Sequence, residues 1–273
     1  MTRAVGSRYS LAIIGGGRMG EAIAAGLVSS GMLEPASIAV VEPAEARRDV
    51  FERHGMQTAA DGHGVVAVAD TVLFAVKPQV IDAVVAHYAD EIAPETLVVS
   101  IAAGIPTARL ETLLALGTPV VRVMPNTPAM VGEGMAVVSA GRSASAAHVE
   151  RVRALFEAVG KVEVLDEPSQ DAATAISGSG PAYVALFVDA LAEAGAAQGL
   201  DRATAQRLAV QTFKGTAVML EKSGISPTGL IAGVSSPGGT TVAALEVLDQ
   251  ADTRGIIASA VEAAVRRAKE LGL

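Results

Sequence analysis

The residues best suited to chemistry fall in two glycine-rich stretches and a few strand ends. The first stretch, Ser10–Leu27, reads SLAIIGGGRMGEAIAAGL. Gly15, Gly17 and Gly20 fit G-x-G-x-x-G, directly after the apolar run Leu11–Ile14 and before a helical pattern through Ile23, Ala24 and Leu27. In that setting the spacing has a mechanism: Gly15 permits a tight turn, Gly17 lets backbone approach a pyrophosphate, and Gly20 lets helix rest on strand. Gly16, Arg18 and Met19 complete the loop, and the positive end of the helix faces the phosphates. Glu42 lies 22 residues after Gly20, at the end of a second apolar run, Ser37–Val41. A carboxylate at that distance bonds the ribose hydroxyls of a dinucleotide.

The second stretch, Ser235-Ser236-Pro237-Gly238-Gly239-Thr240-Thr241, leads into the apolar helical segment Val242–Leu248. Hydroxyls and consecutive amides at a helix N-terminus make an anion site. With no Lys or Arg inside it, the site suits a carboxylate better than a phosphate. The plainer reading is a turn with an N-cap, and capping is expected to contribute in either case. A shorter motif, ISGSGPAY at Ile176–Tyr183, is either a helix start with Pro181 in its first turn or open backbone for a flat ring such as nicotinamide. Lys77 is either a solvated strand end or a contact to the cofactor's ribose or phosphate.

Behind these motifs stand elements in regular alternation. Apolar runs at Leu11–Ile14, Ser37–Val41, Asp70–Val76, Leu97–Ile101 and Val120–Val123 read as strands, separated by helical segments at Glu45–His54, Val80–Tyr88 and Arg109–Leu116. That alternation predicts a parallel sheet. Its carboxyl edge would gather Gly15–Gly20, Glu42, Lys77-Pro78, Ala102–Gly104 and Pro125–Pro128, the edge where such sheets bind ligands. Two further strands, Ala136–Ser139 and Lys161–Val164, flank a helix over about 144–159. Residues 1–10 are expected to be a loose tail. From Asp171 onward only helical periodicity appears. Ala209, Phe213, Thr216 and Leu220 form one stripe; Ile257, Val261, Ala264, Ala268 and Leu271 form another. Such alanine-rich faces are expected to pair with another subunit.

The chain has 273 residues, 51% of them hydrophobic but only 3% aromatic, so its core must be built from small side chains. A formal charge of −8 argues against a nucleic-acid or anionic-membrane partner. With no cysteine, thiolate catalysis and disulfides are excluded. The four histidines, at 54, 63, 87 and 148, show no ligand-like spacing, so scattered surface roles and no metal are expected. No signal-peptide pattern and no uninterrupted membrane span is seen, the candidate after Pro181 being broken by Asp189 and Glu193. A cytoplasmic protein is the expectation.

Taken together, IIGGGRMGEAI, FAVKPQ, SIAAGI, RVMPNTPA, ISGSGPAY and VSSPGGTTVAALEVLD resemble the Δ1-pyrroline-5-carboxylate reductases, in family order from residue 13 to residue 249. The resemblance implies an α/β Rossmann-type doubly wound domain over 1–167. It implies an all-α C-terminal domain over 168–273 that binds substrate and dimerises, with larger rings of dimers common. It implies reduction of the cyclic imine to L-proline, the last step of proline biosynthesis, with NADPH or NADH. By motif, Gly15–Gly20 would hold the pyrophosphate, and Lys77, Pro78, Ala102, Ala103 and Asn126 would line the cofactor. Ser236, Gly239, Thr240 and Thr241 would take the substrate carboxylate, with Ser179 beside the substrate. Asp61-Gly62 departs from the Asn usual on the family's adenosine side.

Hydride transfer to a C=N carbon is chemistry that the cofactor supplies, leaving orientation and electrostatics to the protein. No Asp, Glu or His lies in Ile176–Tyr183 or in Ser235–Thr241. The amine proton would therefore come from an already protonated imine, from water or from the Thr241 hydroxyl. Glu42 favours NADH by repelling a 2′-phosphate, while Arg47 and Arg48 favour NADPH; both cofactors are expected to work. A β-hydroxyacid dehydrogenase would need a lysine base, for which Lys214 is the only mid-helix candidate. A redox-sensing NAD(P)-binding module would have no use for Ser236–Thr241.

Overall fold

A computed structural model describes residues 9–272, which divide into two compact units. One holds the residues up to Ser179 together with those from Ala264 onward; the other is Gly180–Ala263.

The first unit is built on one eight-stranded sheet in the order β3-β2-β1-β4-β5-β6-β7-β8. The strands are β1 (Leu11–Ile14), β2 (Ile38–Val41), β3 (Gln57–Ala59), β4 (Thr71–Phe74), β5 (Leu97–Ser100), β6 (Val120–Met124), β7 (Gly134–Ala140) and β8 (Gly160–Val164). β1 to β6 are parallel, with Ile14 level with both Val41 and Phe74. β7 runs antiparallel to β6, and β8 runs with β7. The parallel sheet expected from the alternation is thus extended by two reversed strands. The six parallel strands deliver their carboxyl ends to one edge, and the order switches between β1 and β4.

These strands read as unbroken apolar runs because both faces are covered. Leu11, Ile13, Leu73 and Val99 belong to a core on one face. Ala12, Ile14, Val72 and Val98 belong to a core on the other. The helices α1 (Arg18–Ser29), α2 (Glu45–Glu52), α3 (Ile81–Tyr88), α4 (Thr107–Glu111), α5 (Ala146–Glu157) and α6 (Gln170–Ala173) belong to this unit. α1 buries Ile23, Ala24 and Leu27, as its periodicity predicts.

Three local expectations are corrected. Of the tail expected over 1–10, residues 1–8 lie outside the described residues. Tyr9, expected to belong to that tail, is already buried and bridges Ala69 two residues before β1. β3 was not foreseen: it is three residues long, on the sheet edge, and too polar to stand out. α4 ends at Glu111, well short of Leu116, which is fully exposed.

The second unit is helical, with α7 (Gly180–Ala197), α8 (Arg202–Ser223), α9 (Pro227–Val234), α10 (Thr240–Gln250) and most of α11 (Thr253–Leu271). α7 and α8 pack together through small residues: a Cβ on Gly195 would lie 2.9 Å from that of Ala205. Within the unit Leu186, Leu208, Val247 and Ile256 stay exposed. The stripe of Ala209, Phe213, Thr216 and Leu220 is buried only at Ala209. One helical run, Glu167–Ala197, is long and apolar enough by composition to cross a membrane, despite Asp189 and Glu193.

Candidate active site

At the carboxyl edge the glycine turn is fixed by backbone and sterics. Gly15 adopts φ +109°, where a Cβ would lie 2.7 Å from the Ala75 carbonyl oxygen. On Gly20 a Cβ would sit 2.5 Å from the Gly15 oxygen, so helix and strand close only on glycine. Gly17 differs: a Cβ there would meet no protein atom within 4 Å. Its φ of −70° suits any residue, so the open space suits an approaching ligand. No side chain caps α1, which leaves its first amides to an anion. Arg18 is exposed, while Met19 leans on the core. These residues fit a dinucleotide's pyrophosphate.

Glu42 is turned into this loop. Gly16 donates its N–H to one carboxylate oxygen at 2.9 Å, and Ala44 donates to the other at 3.0 Å. A carboxylate has about four lone-pair sites, so acceptor capacity remains for a ribose hydroxyl. The two arginines expected to favour NADPH are engaged within the protein. Arg47 donates twice to the Gly16 carbonyl, at 2.9 and 2.7 Å, and pairs with Glu21 at 2.6 Å. Arg48 donates to the carbonyls of Glu42 and Pro43. Glu42 and Arg47 therefore grip Gly16 from its N–H and its C=O, a clamp the sequence does not reveal.

Further along the same edge, Lys77 is exposed and Pro78 half-buried, Ala102 is buried and Ala103 half-buried. Gly104, at φ +78°, receives the end of α11: a Cβ on it would lie 2.9 Å from the Ala268 oxygen. Asn126 is 9% exposed and uses both ends of its amide. Its Oδ1 accepts from Met135 N–H at 2.8 Å, and its Nδ2 donates to the Ser177 carbonyl at 3.0 Å. Pro181 explains the second bond, since it cannot supply the N–H that an α-helix would aim at that carbonyl.

The ISGSGPAY motif is thereby re-read. Pro181 does lie in the first turn of α7, but the helical run begins upstream, and Thr174–Gly178 forms a π-helical turn between α6 and α7. Such turns are rare and frequent at functional sites. The turn is anchored to the sheet by residues that sequence reasoning passed over. Gln170 donates to the Val137 carbonyl and the Ser139 hydroxyl. Buried Arg122 pairs with Asp171 at 3.3 Å and Glu167 at 3.6 Å, and Glu167 also accepts from Thr107. A charged residue inside the apolar run Val120–Val123 was the available signal. Ser179 closes the first unit, and these contacts are why the unit runs to Ser179.

In the second unit, Ser236–Gly239 forms a turn with Pro237 and Gly238 at its centre. Gly239 N–H donates to the Ser236 carbonyl at 2.9 Å and Gly238 has φ +71°, the pattern of a type II turn. Gly239 is the N-cap of α10, and no side chain caps the helix. The side-chain capping expected from these serines and threonines is thus absent. Thr240 is exposed, Thr241 half-buried, and the Ser236 hydroxyl lies 2.6 Å from where a Gly239 Cβ would be. The first amides of α10 are thus left without a side-chain partner, the general condition for an anion to bind at a helix start.

The histidines are not all scattered. The rings of His63 and His87 lie 4.6 Å apart, in contact with the Tyr88 ring. Their separation of 24 positions conceals this in the sequence.

Comparison with known proteins covers both units. A family model for pyrroline-5-carboxylate reductase dimerisation matches residues 167–271. One described as NADP oxidoreductase, coenzyme F420-dependent, matches residues 10–104. The pyrroline-5-carboxylate reductase of Corynebacterium melassecola is 43% identical over 267 residues, 96% of this chain and 98% of that protein. A solved pyrroline-5-carboxylate reductase from Coxiella burnetii matches with a TM-score of 0.91 at 35% identity, covering 98% of this chain and 100% of the other. The Plasmodium falciparum enzyme, solved with NADP bound, gives 0.88 at 30% identity over 98% of this chain and 100% of its own. By identity sustained along almost its entire length, the chain belongs to the pyrroline-5-carboxylate reductase family.

Proposed function

We infer that this chain reduces Δ1-pyrroline-5-carboxylate to L-proline with NADPH or NADH. The observation that carries the reading is the uncapped N-terminus of α10, in a segment, Ser235–Thr241, that contains no Lys or Arg, in a chain whose other unit carries the dinucleotide turn. A carboxylate-bearing substrate matches the first, and a nicotinamide cofactor the second.

When bound, the reduced nicotinamide supplies the hydride. In our reading the chain's residues do the rest. Gly15–Gly20 hold the pyrophosphate, with Gly16 kept in place by Glu42 and Arg47, and Lys77, Pro78, Ala102 and Ala103 line the same edge. Asn126 braces the Ser177 turn, with Ser179 next to it. Ser236, Gly239, Thr240 and Thr241 hold the substrate carboxylate and so orient the ring. Thr241 is the one hydroxyl we assign to the reacting nitrogen, as proton donor. The exposed apolar faces of the helical unit support a homodimer, and larger assemblies of dimers belong to the same proposal. We place the enzyme in the cytoplasm with no nucleic-acid or membrane partner.

Thr241→Ala tests the anchor. Losing one hydrogen bond to a carboxylate costs about 1.5–3 kcal/mol, so KM for the imine acid should rise roughly tenfold to 150-fold while cofactor KM holds. A parallel fall in kcat assigns the hydroxyl to the transition state. An unchanged substrate KM would reduce the loop to a plain turn.

A further inference from the structure

The connection between β3 and β4 and the last turn of α3 bring together side chains that the reductase reading does not use. Asp61, His63 and His87 each offer one ligand atom, and the three atoms lie within 4.8 Å of one another. The carboxyl edge lies at the start of α3, and His87 stands at the far end of that eight-residue helix. Asp61, two residues beyond the end of β3, stands nearer that edge.

We propose that Asp61, His63 and His87 form a binding site for a divalent transition-metal ion of the Zn²⁺ class. Two imidazoles and one carboxylate suit zinc, cobalt or nickel, whereas magnesium and calcium call for oxygen donors. Three protein ligands leave a further position to water or to an outside ligand.

What separates this cluster from a chance meeting of surface side chains is that two of the three ligands, His63 and Asp61, already have partners that orient them. His63 Nδ1 is hydrogen-bonded to Glu91, which leaves Nε2 with its lone pair for a metal. A carboxylate behind a ligating histidine is the usual supporting arrangement. Glu91 is itself held, its other oxygen accepting from Gly64 N–H at 2.7 Å. Asp61 Oδ1 accepts from the Tyr88 hydroxyl and from His63 N–H, both at 3.2 Å, which fixes the carboxylate. Tyr88 is buried and accepts from Gly62 N–H at 3.1 Å, so the Asp61 carboxylate is tied to the core. His87 Nε2 stands 3.9 Å from Asp61 Oδ1, within reach of the same ion. Donors around a tetrahedral zinc sit roughly 3.4 Å apart, given bonds of about 2.1 Å. Closure thus needs about an ångström of rotation in side chains that are half-exposed and able to make it. The two carboxylates, Asp61 and Glu91, also balance the charge of the ion.

The test is a Zn²⁺ titration of the untagged full chain by calorimetry, with Co²⁺ absorption as a second probe. One ion per chain should bind saturably, with micromolar affinity. His87→Ala and His63→Ala should each weaken it at least tenfold, Glu91→Gln about tenfold, and His54→Ala not at all. Melting curves of the metal-free variants should match wild type, because the ligands lie at the surface. Co²⁺ should give the ligand-field bands of a four- or five-coordinate site. Non-saturable binding would overturn the proposal, and so would affinity that survives the double histidine substitution.

Discussion

Replacing Gly17 and Gly20 by alanine separates space reserved for a ligand from space reserved for packing. At Gly17 the new methyl meets no protein atom within 4 Å, and φ is −70°. Two small effects then oppose each other in stability. Alanine restricts the unfolded chain, a gain of about 0.4–1 kcal/mol, but is a poorer N-cap than glycine, a loss of about the same size. Net stability should stay within about 1 kcal/mol of wild type. Cofactor binding should not, because the methyl stands where a pyrophosphate must approach backbone amides. One lost charged hydrogen bond, about 1.5–3 kcal/mol, weakens NADPH roughly tenfold to 150-fold. Gly20→Ala reverses the order of effects. Its methyl would lie 2.5 Å from the Gly15 oxygen, and forcing α1 away from β1 costs about 1–3 kcal/mol. Urea unfolding and NADPH fluorescence titration on both variants make the comparison. The reasoning fails if Gly17→Ala binds NADPH within twofold of wild type, or if it unfolds as early as Gly20→Ala.

Two other substitutions probe the same edge. Asn126→Ala removes a donor to Ser177 and an acceptor for Met135; two buried bonds, one leaving an unpaired N–H, should cost about 2–4 kcal/mol in chemical denaturation. A loss under about 1 kcal/mol would show that Asn126 does not tie the π-helical turn to the sheet. Glu42→Ala removes a carboxylate from beside Gly16 and should raise kcat/KM for NADPH relative to NADH by at least severalfold. An unchanged ratio would make Glu42 a clamp on the loop alone.

The parallel core was legible because strands covered on both faces must be apolar throughout, so Leu11–Ile14 and Leu97–Ser100 stand out as runs. Gln57–Ala59 has no such constraint at the sheet edge and left no mark. Both glycine motifs were legible by residue type, since tight turns demand glycine, whereas the missing side-chain cap on α10 was not. Their supports were not. Glu42 reaches Gly16 and Asn126 reaches Ser177 across 26 and 51 positions of chain, distances over which only the folded sheet sets proximity. The return of α11 onto Gly104 was equally hidden, because a helical stripe shows which face is apolar but not what covers it. The pairing of His63 with His87 belongs to the same class.

The central claim is that the chain couples oxidation of a nicotinamide cofactor to reduction of a cyclic imino acid. The direct measurement is turnover of the purified protein with NADPH, and with NADH, in the presence of Δ1-pyrroline-5-carboxylate, following cofactor absorbance and L-proline together. One proline should form for each cofactor oxidised, and 3-hydroxyisobutyrate should give no turnover. Cofactor binding without proline formation, or activity with the hydroxy acid alone, would contradict the account.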